Sequence, residues 1–390
     1  MSGKRVVVLG GGLGGIAAAG HLRRLLPREH EVVVVEKNET FSLCMANLWL
    51  MTGERESPQV GERALAELPK KGIEWVRGEV EGVDVHSRAA KTTAGTLDGD
   101  YLVVALGAER APQALPGFTE AALDLYEADG ALKIREALAD FSGGRIVVLV
   151  SRTPFSCPSA PYEAAFLIES VLRERGIREK SEVALYTPED QPMPVAGPAV
   201  GAELAGMLTE RGIEFHREQI ALKIDPPSRR ILFEIDETSY DLLVGVPAHK
   251  APAPAVEGQL TDASGWVPVD ASTLQTRHSG VFAIGDVTAV RLANGMFLPK
   301  AGVFADSQAR VVAENIAAEI DGRSGEGRFD GRGFCYVEVG GGMAAYGAGN
   351  FYGLPGPRVT LEPPSERFRK EKVEIERTAF ALWDEPTGGP

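Results

Sequence analysis

Apolar residues fall in short blocks along the chain, separated by glycine-rich turns, prolines and charged segments. The first block, Arg5-Val6-Val7-Val8-Leu9, is β-forming and unbroken by polar positions, which predicts a strand buried on both faces. It runs into Gly10-Gly11-Gly12-Leu13-Gly14-Gly15, and then Ile16–Ala19 and His21–Leu26 predict a helix stopped near Pro27. Glu31–Val35 predicts a second strand, closing on Glu36. Further β-forming blocks cover Asp100–Ala108, Gly144–Val150, Glu182–Tyr186 and Gly280–Asp286. Glu163–Arg173 is patterned as an amphipathic helix, and another helix is expected from about Lys300-Ala301-Gly302 to Ile320. Strands alternating with helices predict an α/β fold with parallel sheets.

The first unit carries GxGxxG at Gly10, Gly12 and Gly15. The first glycine permits the tight turn, the second lets a pyrophosphate approach the backbone, and the third lets helix and strand pack closely. The helix N-terminus then offers free N–H groups to the phosphates. Glu36 stands near the ~20-residue spacing of a carboxylate that takes ribose hydroxyls, and its charge disfavours a 2′-phosphate. Two later strands, one closing at Gly107 and one at Gly285-Asp286, follow in the order seen in flavoproteins with two dinucleotide-binding domains. This glutathione-reductase-like resemblance favours FAD over NAD at the first unit. It implies that Asp286 meets the ribityl chain and that the helix after Lys300 points at the isoalloxazine ring. Alone, an Asp after a Gly is as readily a turn residue or a helix cap.

The second βαβ frame has the strands and the helix but a different loop. Ser151 to Tyr162 contains no glycine and three prolines, so its backbone is not shaped to cradle a pyrophosphate and no NAD(P)H site is expected there. Cys157 sits in that loop.

Composition narrows the class. Hydrophobic residues make up 44% and charged residues 25%, as in ordinary globular proteins. The net charge of −14 argues against nucleic acid as a partner. No apolar run approaches the ~18 residues of a membrane span, and no signal-peptide pattern precedes the first strand. A cytoplasmic location is expected, or a periplasmic one where a signal has been removed. The 3 cysteines, Cys44, Cys157 and Cys335, are too few for a disulfide scaffold, and neither they nor the histidines have metal-site spacing.

Pro154-Phe155-x-Cys157-Pro158-x-x-Pro161-Tyr162-Glu163, followed far downstream by Phe334-Cys335, resembles the sulfide dehydrogenase flavoproteins. These are the sulfide:quinone oxidoreductases and the flavoprotein subunit of flavocytochrome c sulfide dehydrogenase. Gly265–Asp270, Gly285-Asp286 and Pro299–Gly302 match as well, so the resemblance covers nearly the whole chain. It implies that Cys157 and Cys335 form a disulfide or a sulfur-bridged pair above FAD, with Cys335 facing the flavin and Cys157 taking the sulfur. Hydrosulfide would attack that pair by thiol–disulfide exchange. Lys300 would mark the helix end beside the flavin, and Glu163 would accept or relay a proton; as a plain residue, Glu163 also suits a helix start. Cys44, in Phe41-Ser42-Leu43-Cys44-Met45-Ala46-Asn47, matches the flavocytochrome position joined covalently to the flavin methyl group.

The acceptor is left open between a quinone and a c-type cytochrome. Pro364–Trp383 mixes basic, aromatic and aliphatic residues, which would suit either a peripheral membrane foot or a terminal element packed on its own domain; a disordered tail is expected after Trp383. The expected organisation is a split FAD-binding domain (1–110 and 266–320), an NAD(P)-like domain (111–265) and a C-terminal region (321–390). The leading function is FAD-dependent sulfide oxidation with electrons passed to quinone. The rivals are a cytochrome-linked version, an NADH:quinone oxidoreductase and a non-enzymatic flavin redox sensor.

Overall fold

A computed structural model describes residues 3–384. Two five-stranded parallel sheets and one three-stranded antiparallel sheet form its frame. The first sheet has the strand order Val281–Ala283, Tyr101–Val104, Arg5–Leu9, Glu31–Glu36 and Glu74–Arg77. Arg5–Leu9 pairs in parallel on both sides, so Val6, Val7, Val8 and Leu9 are fully buried. Each such side chain contributes about 1.5–3 kcal/mol over an exposed one. The helix Leu13–Leu25 follows, ending before Pro27, and packs beside the helix Gly302–Ile320.

The second sheet has the order Leu123–Asp124, Leu242–Val246, Gly144–Val150, Ser181–Tyr186 and Ile213–His216. Its helix runs Ala160–Glu174, starting earlier than the apolar pattern indicated because Pro161 suits the first turn, where no intrahelical N–H bond is lost. Nearly the whole helix is buried, because it lies between its own sheet and the antiparallel strands Arg332–Gly340, Met343–Asn350 and Arg358–Ser365. That packing brings Cys335, on the first of these strands, to the Cys157 loop.

The helix Glu366–Ala379 closes the C-terminal region. Its inward stripe is Phe368, Lys372 and Glu376, one helical turn apart. Phe380, Leu382 and Trp383 are buried too, with Trp383 stacked on Phe41 at 5.3 Å between ring centroids. The aromatic residues a membrane foot would use are therefore packed inside the fold. Among the described residues no helix is long and apolar enough to cross a membrane. The tail expected to be disordered lies, from residue 385 on, outside the described residues.

Candidate active site

The glycine turn has the geometry of a phosphate cradle. Gly10 has φ +106°, and a Cβ there would stand 2.4 Å from the Ala105 carbonyl oxygen. A Cβ on Gly15 would meet the Gly10 carbonyl oxygen at 1.9 Å, so helix and strand touch only because it is glycine. A Cβ on Gly12 would have no neighbour within 4 Å, and the same holds at Gly107, whose φ is +68°. These two glycines face open space, as a bound dinucleotide requires. Glu36 accepts from the Gly11 N–H at 2.8 Å and from the Asn38 N–H at 2.8 Å, which fixes its carboxylate over the turn. The helices Leu13–Leu25 and Gly302–Ile320 both start with no side-chain cap and no acid in the first turn. Their N–H groups are available to anionic parts of a ligand.

A second group of residues ties this cleft to the cysteine loop. Gly285 has φ +71° and donates its N–H to Gln308 Oε1 at 2.7 Å, which sets the turn carrying Asp286. Ser156 Oγ donates to Asp286 Oδ2 at 2.5 Å, and the Cys157 N–H donates to the Lys300 carbonyl at 2.7 Å. Asp286 is pushed above the usual carboxyl range by desolvation, which Ser156 and Lys300 partly offset. Lys300 donates from Nζ to the Asp286 carbonyl at 2.5 Å and lies 3.2 Å from the Trp266 ring centroid. Burial lowers its ammonium to about 8. Cys157 itself has φ +53°, an uncommon backbone conformation for a residue that is not glycine, asparagine or aspartate.

Cys157 and Cys335, expected as a pair, lie on either side of one side chain. Between them stands the Ser159 hydroxyl, 3.7 Å from Cys157 Sγ and accepting from Cys335 Sγ at 3.2 Å. Desolvation, with the Glu163 charge second, pushes Cys157 up to about 11 and Cys335 up to about 12. Both side chains remain partly exposed, and the water reaching them offsets part of that desolvation. Cys335 and Lys300 line one largely apolar cavity of about 670 Å³, with Phe155, Pro158, Glu189 and Trp266 among its other walls.

Glu163 is buried behind the thiols. Its Oε2 accepts from Ser159 Oγ at 2.9 Å; its Oε1 accepts from the Glu338 N–H at 2.8 Å and from Lys372 Nζ. Lys372 also pairs with Glu338 Oε1 at 2.9 Å, and Glu338 Oε2 takes Arg369 Nε at 2.7 Å. Desolvation lowers the Lys372 pKa, but the two carboxylates outweigh it and hold the ammonium above the usual lysine range. Ser159, Glu338 and Lys372 were not singled out from the sequence. Glu338 did carry a signal, a lone carboxylate between Val337 and Val339 in a strand.

Cys44 is exposed and makes no hydrogen bond with Ser159. Its Sγ is 3.9 Å from the Tyr126 carbonyl oxygen and 3.9 Å from Asn47 Nδ2. Desolvation by the surrounding protein, then the Cys157 charge, raises its thiol.

Residues 4–301 match the family described as pyridine nucleotide-disulphide oxidoreductase. The chain belongs to this family. Within the pyridine nucleotide-disulphide oxidoreductases it is similar to the mitochondrial sulfide:quinone oxidoreductase of Mus musculus, 26% identical over 73% of this chain and 65% of that protein. The sulfide-quinone reductase of Aquifex aeolicus is 26% identical over 81% of this chain and 77% of its own. A solved structure of the sulfide:quinone oxidoreductase from Aquifex aeolicus superposes with a TM-score of 0.87 at 24% identity, covering 96% of this chain and 90% of that one. The chain is also similar to the alternative NAD(P)H-ubiquinone oxidoreductase C1 of Arabidopsis thaliana, 27% identical over 82% of this chain and 68% of that protein. A flavin cofactor follows from the family, and the open glycine cradle fits it.

Proposed function

We propose that the protein oxidises sulfide to zero-valent sulfur or polysulfide, with FAD as electron carrier and a quinone as acceptor. The observation that carries this reading is the convergence of Cys157 and Cys335 on one hydroxyl, with Cys157 hydrogen-bonded to Lys300 at the edge of the flavin cleft. The names of the mouse and Aquifex relatives point to the same chemistry.

In its oxidised form the pair is a disulfide. Hydrosulfide attacks Cys157 Sγ, the S–S bond to Cys335 breaks, and a new S–S bond leaves a persulfide on Cys157 and a thiolate on Cys335. FAD, when bound, supplies the two-electron oxidation that restores the pair. Gly10, Gly12, Gly15, Glu36, Gly107, Gly285 and Asp286 would hold it, with Lys300 beside its ring. Glu163 is the proton acceptor behind the cysteines. The apolar cavity next to Cys335 accommodates uncharged sulfur.

Cys44, exposed and outside the cysteine pair, would form a thioether to the flavin methyl group. That link would favour a c-type cytochrome as the alternative acceptor. An NADH-linked activity, suggested by the Arabidopsis relative, is disfavoured by the proline-rich second loop. Peripheral membrane contact would have to use residues other than the buried aromatic ones.

Anaerobic stopped-flow absorbance tests the reading. Sulfide should bleach the flavin band near ~450 nm, NADH should not, and Cys157→Ala and Cys335→Ala should each abolish the sulfide response. Bleaching by NADH alone, or full retention in either variant, would overturn it. Acid precipitation tests the thioether: flavin should stay with the wild-type pellet and leave it in Cys44→Ala.

A further inference from the structure

Ser159 precedes the helix Ala160–Glu174 at the N-cap position, where a serine usually spends its hydroxyl on a backbone N–H of the first turn. Here the side chain makes no cap bond. Its Oγ accepts from Cys335 Sγ at 3.2 Å, lies 3.7 Å from Cys157 Sγ and donates to Glu163 Oε2 at 2.9 Å. Among the described residues no other side-chain hydroxyl reaches either sulfur. Ser159 is 0% exposed and Glu163 1%, so bulk water meets the thiols on their open side but does not reach the carboxylate behind them. Glu163 Oε1 is already taken by Lys372 and the Glu338 N–H, which leaves Oε2 facing Ser159.

We propose that Ser159 is the proton shuttle of the cysteine pair, carrying protons between the two thiols and Glu163. The thiolate that exchange leaves on Cys335 takes up a proton at neutral pH, and the resulting thiol must lose it again before it passes electrons on; that loss needs no co-reactant. The Cys335 S–H bond breaks as a bond forms from that proton to Ser159 Oγ. The original Ser159 O–H bond breaks as its proton joins Glu163 Oε2. A thiol and a carboxylate become a thiolate and a carboxylic acid, the serine is regenerated, and no electron moves. The hydrogen bonds run in this direction, thiol to hydroxyl to carboxylate. Burial gives the shuttle its purpose, because thiols pushed up to about 11 and about 12 keep their protons at neutral pH unless a base takes them. The groups facing Glu163 are Ser159, Lys372, Glu338 and the two cysteines.

This role rests on the reading of Cys157 and Cys335 as the sulfide-oxidising pair, and two readouts keep the two ideas separable. In the flavin-loaded protein, Ser159→Ala should keep its ~450 nm band while sulfide reduces it at least about tenfold more slowly, and Ser159→Thr should recover most of the rate. Independently of sulfide, iodoacetamide alkylation of Cys335 at pH 8, followed by peptide mass spectrometry, should slow at least about threefold in S159A as the thiolate loses its hydroxyl donor. Ser159→Gly, which suits an N-cap, replaces S159A should that variant lose its flavin. Reduction of S159A at the wild-type rate overturns the shuttle. A wild type that sulfide does not reduce overturns the sulfide reading, and the alkylation series alone then decides Ser159: slowing with recovery in S159T supports the shuttle, and no change overturns it.

Discussion

The two βαβ units share a frame and differ at its working end. In the first, the loop is glycine, the helix starts without a side-chain cap or an acid, and the carboxylate after the second strand, Glu36, is held over the turn by backbone N–H groups. In the second, the loop is proline-rich and carries Cys157, and the first helical turn contains Glu163. The carboxylate after its second strand, Glu189, receives the Tyr162 and Thr187 hydroxyls. The positive end of a helix attracts an anion. The first unit leaves that place to a ligand, whereas the second fills it with its own carboxylate and ties that carboxylate to two thiols. On the proposed reading, the same fold element serves phosphate binding in one place and proton handling in the other.

The sharpest way to break the second unit is to remove the cation that balances it. Lys372→Met leaves Glu163 and Glu338 buried without their shared partner and should cost about 3–5 kcal/mol, read by urea unfolding of the flavin-loaded protein. The folded Lys372 pKa lies above the ordinary value, so its stabilisation is complete at neutral pH and is lost only as pH rises past the lysine range. A loss under 1 kcal/mol would mean that the ion network contributes little.

Gly15→Ala tests the first unit. The added Cβ collides with the Gly10 carbonyl, so stability should fall by about 1–3 kcal/mol, and the purified protein should hold less flavin. Unchanged flavin content would detach Gly15 from the cradle.

Glu189→Gln separates the two carboxylates that follow the second strands. Desolvation raises Glu189 from 4.5 to about 7 in spite of its hydroxyl donors. The folded state therefore binds this proton more tightly than the unfolded chain. The resulting penalty is absent well below pH 4.5, grows with pH and is complete above about 7. E189Q should accordingly stabilise the protein by about 1–2 kcal/mol at pH 8 and not near pH 4, as melting temperature across pH would show. An equal gain at both pH values would place its effect in packing instead.

These contrasts also mark what the sequence made legible. Gly10, Gly12, Gly15 and Glu36 were readable because strand, turn, helix and acid follow one another locally. Cys157 and Cys335 were joined by resemblance alone; their meeting depends on the helix Ala160–Glu174 lying against the strand Arg332–Gly340, and no spacing encodes that. Lys372 was hidden for a different reason. It sits in Arg367–Arg377, where charges occur at nearly every turn and read as a solvated face, and only the packing selects Phe368, Lys372 and Glu376 to face inward. Ser159 read as one more loop residue because its distinction lies in the cap bond it does not make.

The reach of Lys372 back to Glu163 also bears on the order in which the site comes into being. A ribosome adding ~5–20 residues per second exposes the Cys157 loop long before the helix that carries the lysine. Through that interval Glu163 has no ammonium to balance it, and burying it would cost more than leaving it hydrated. The closed site behind the thiols is therefore complete only with the C-terminal helix in place, since that helix brings the ammonium shared by Glu163 and Glu338.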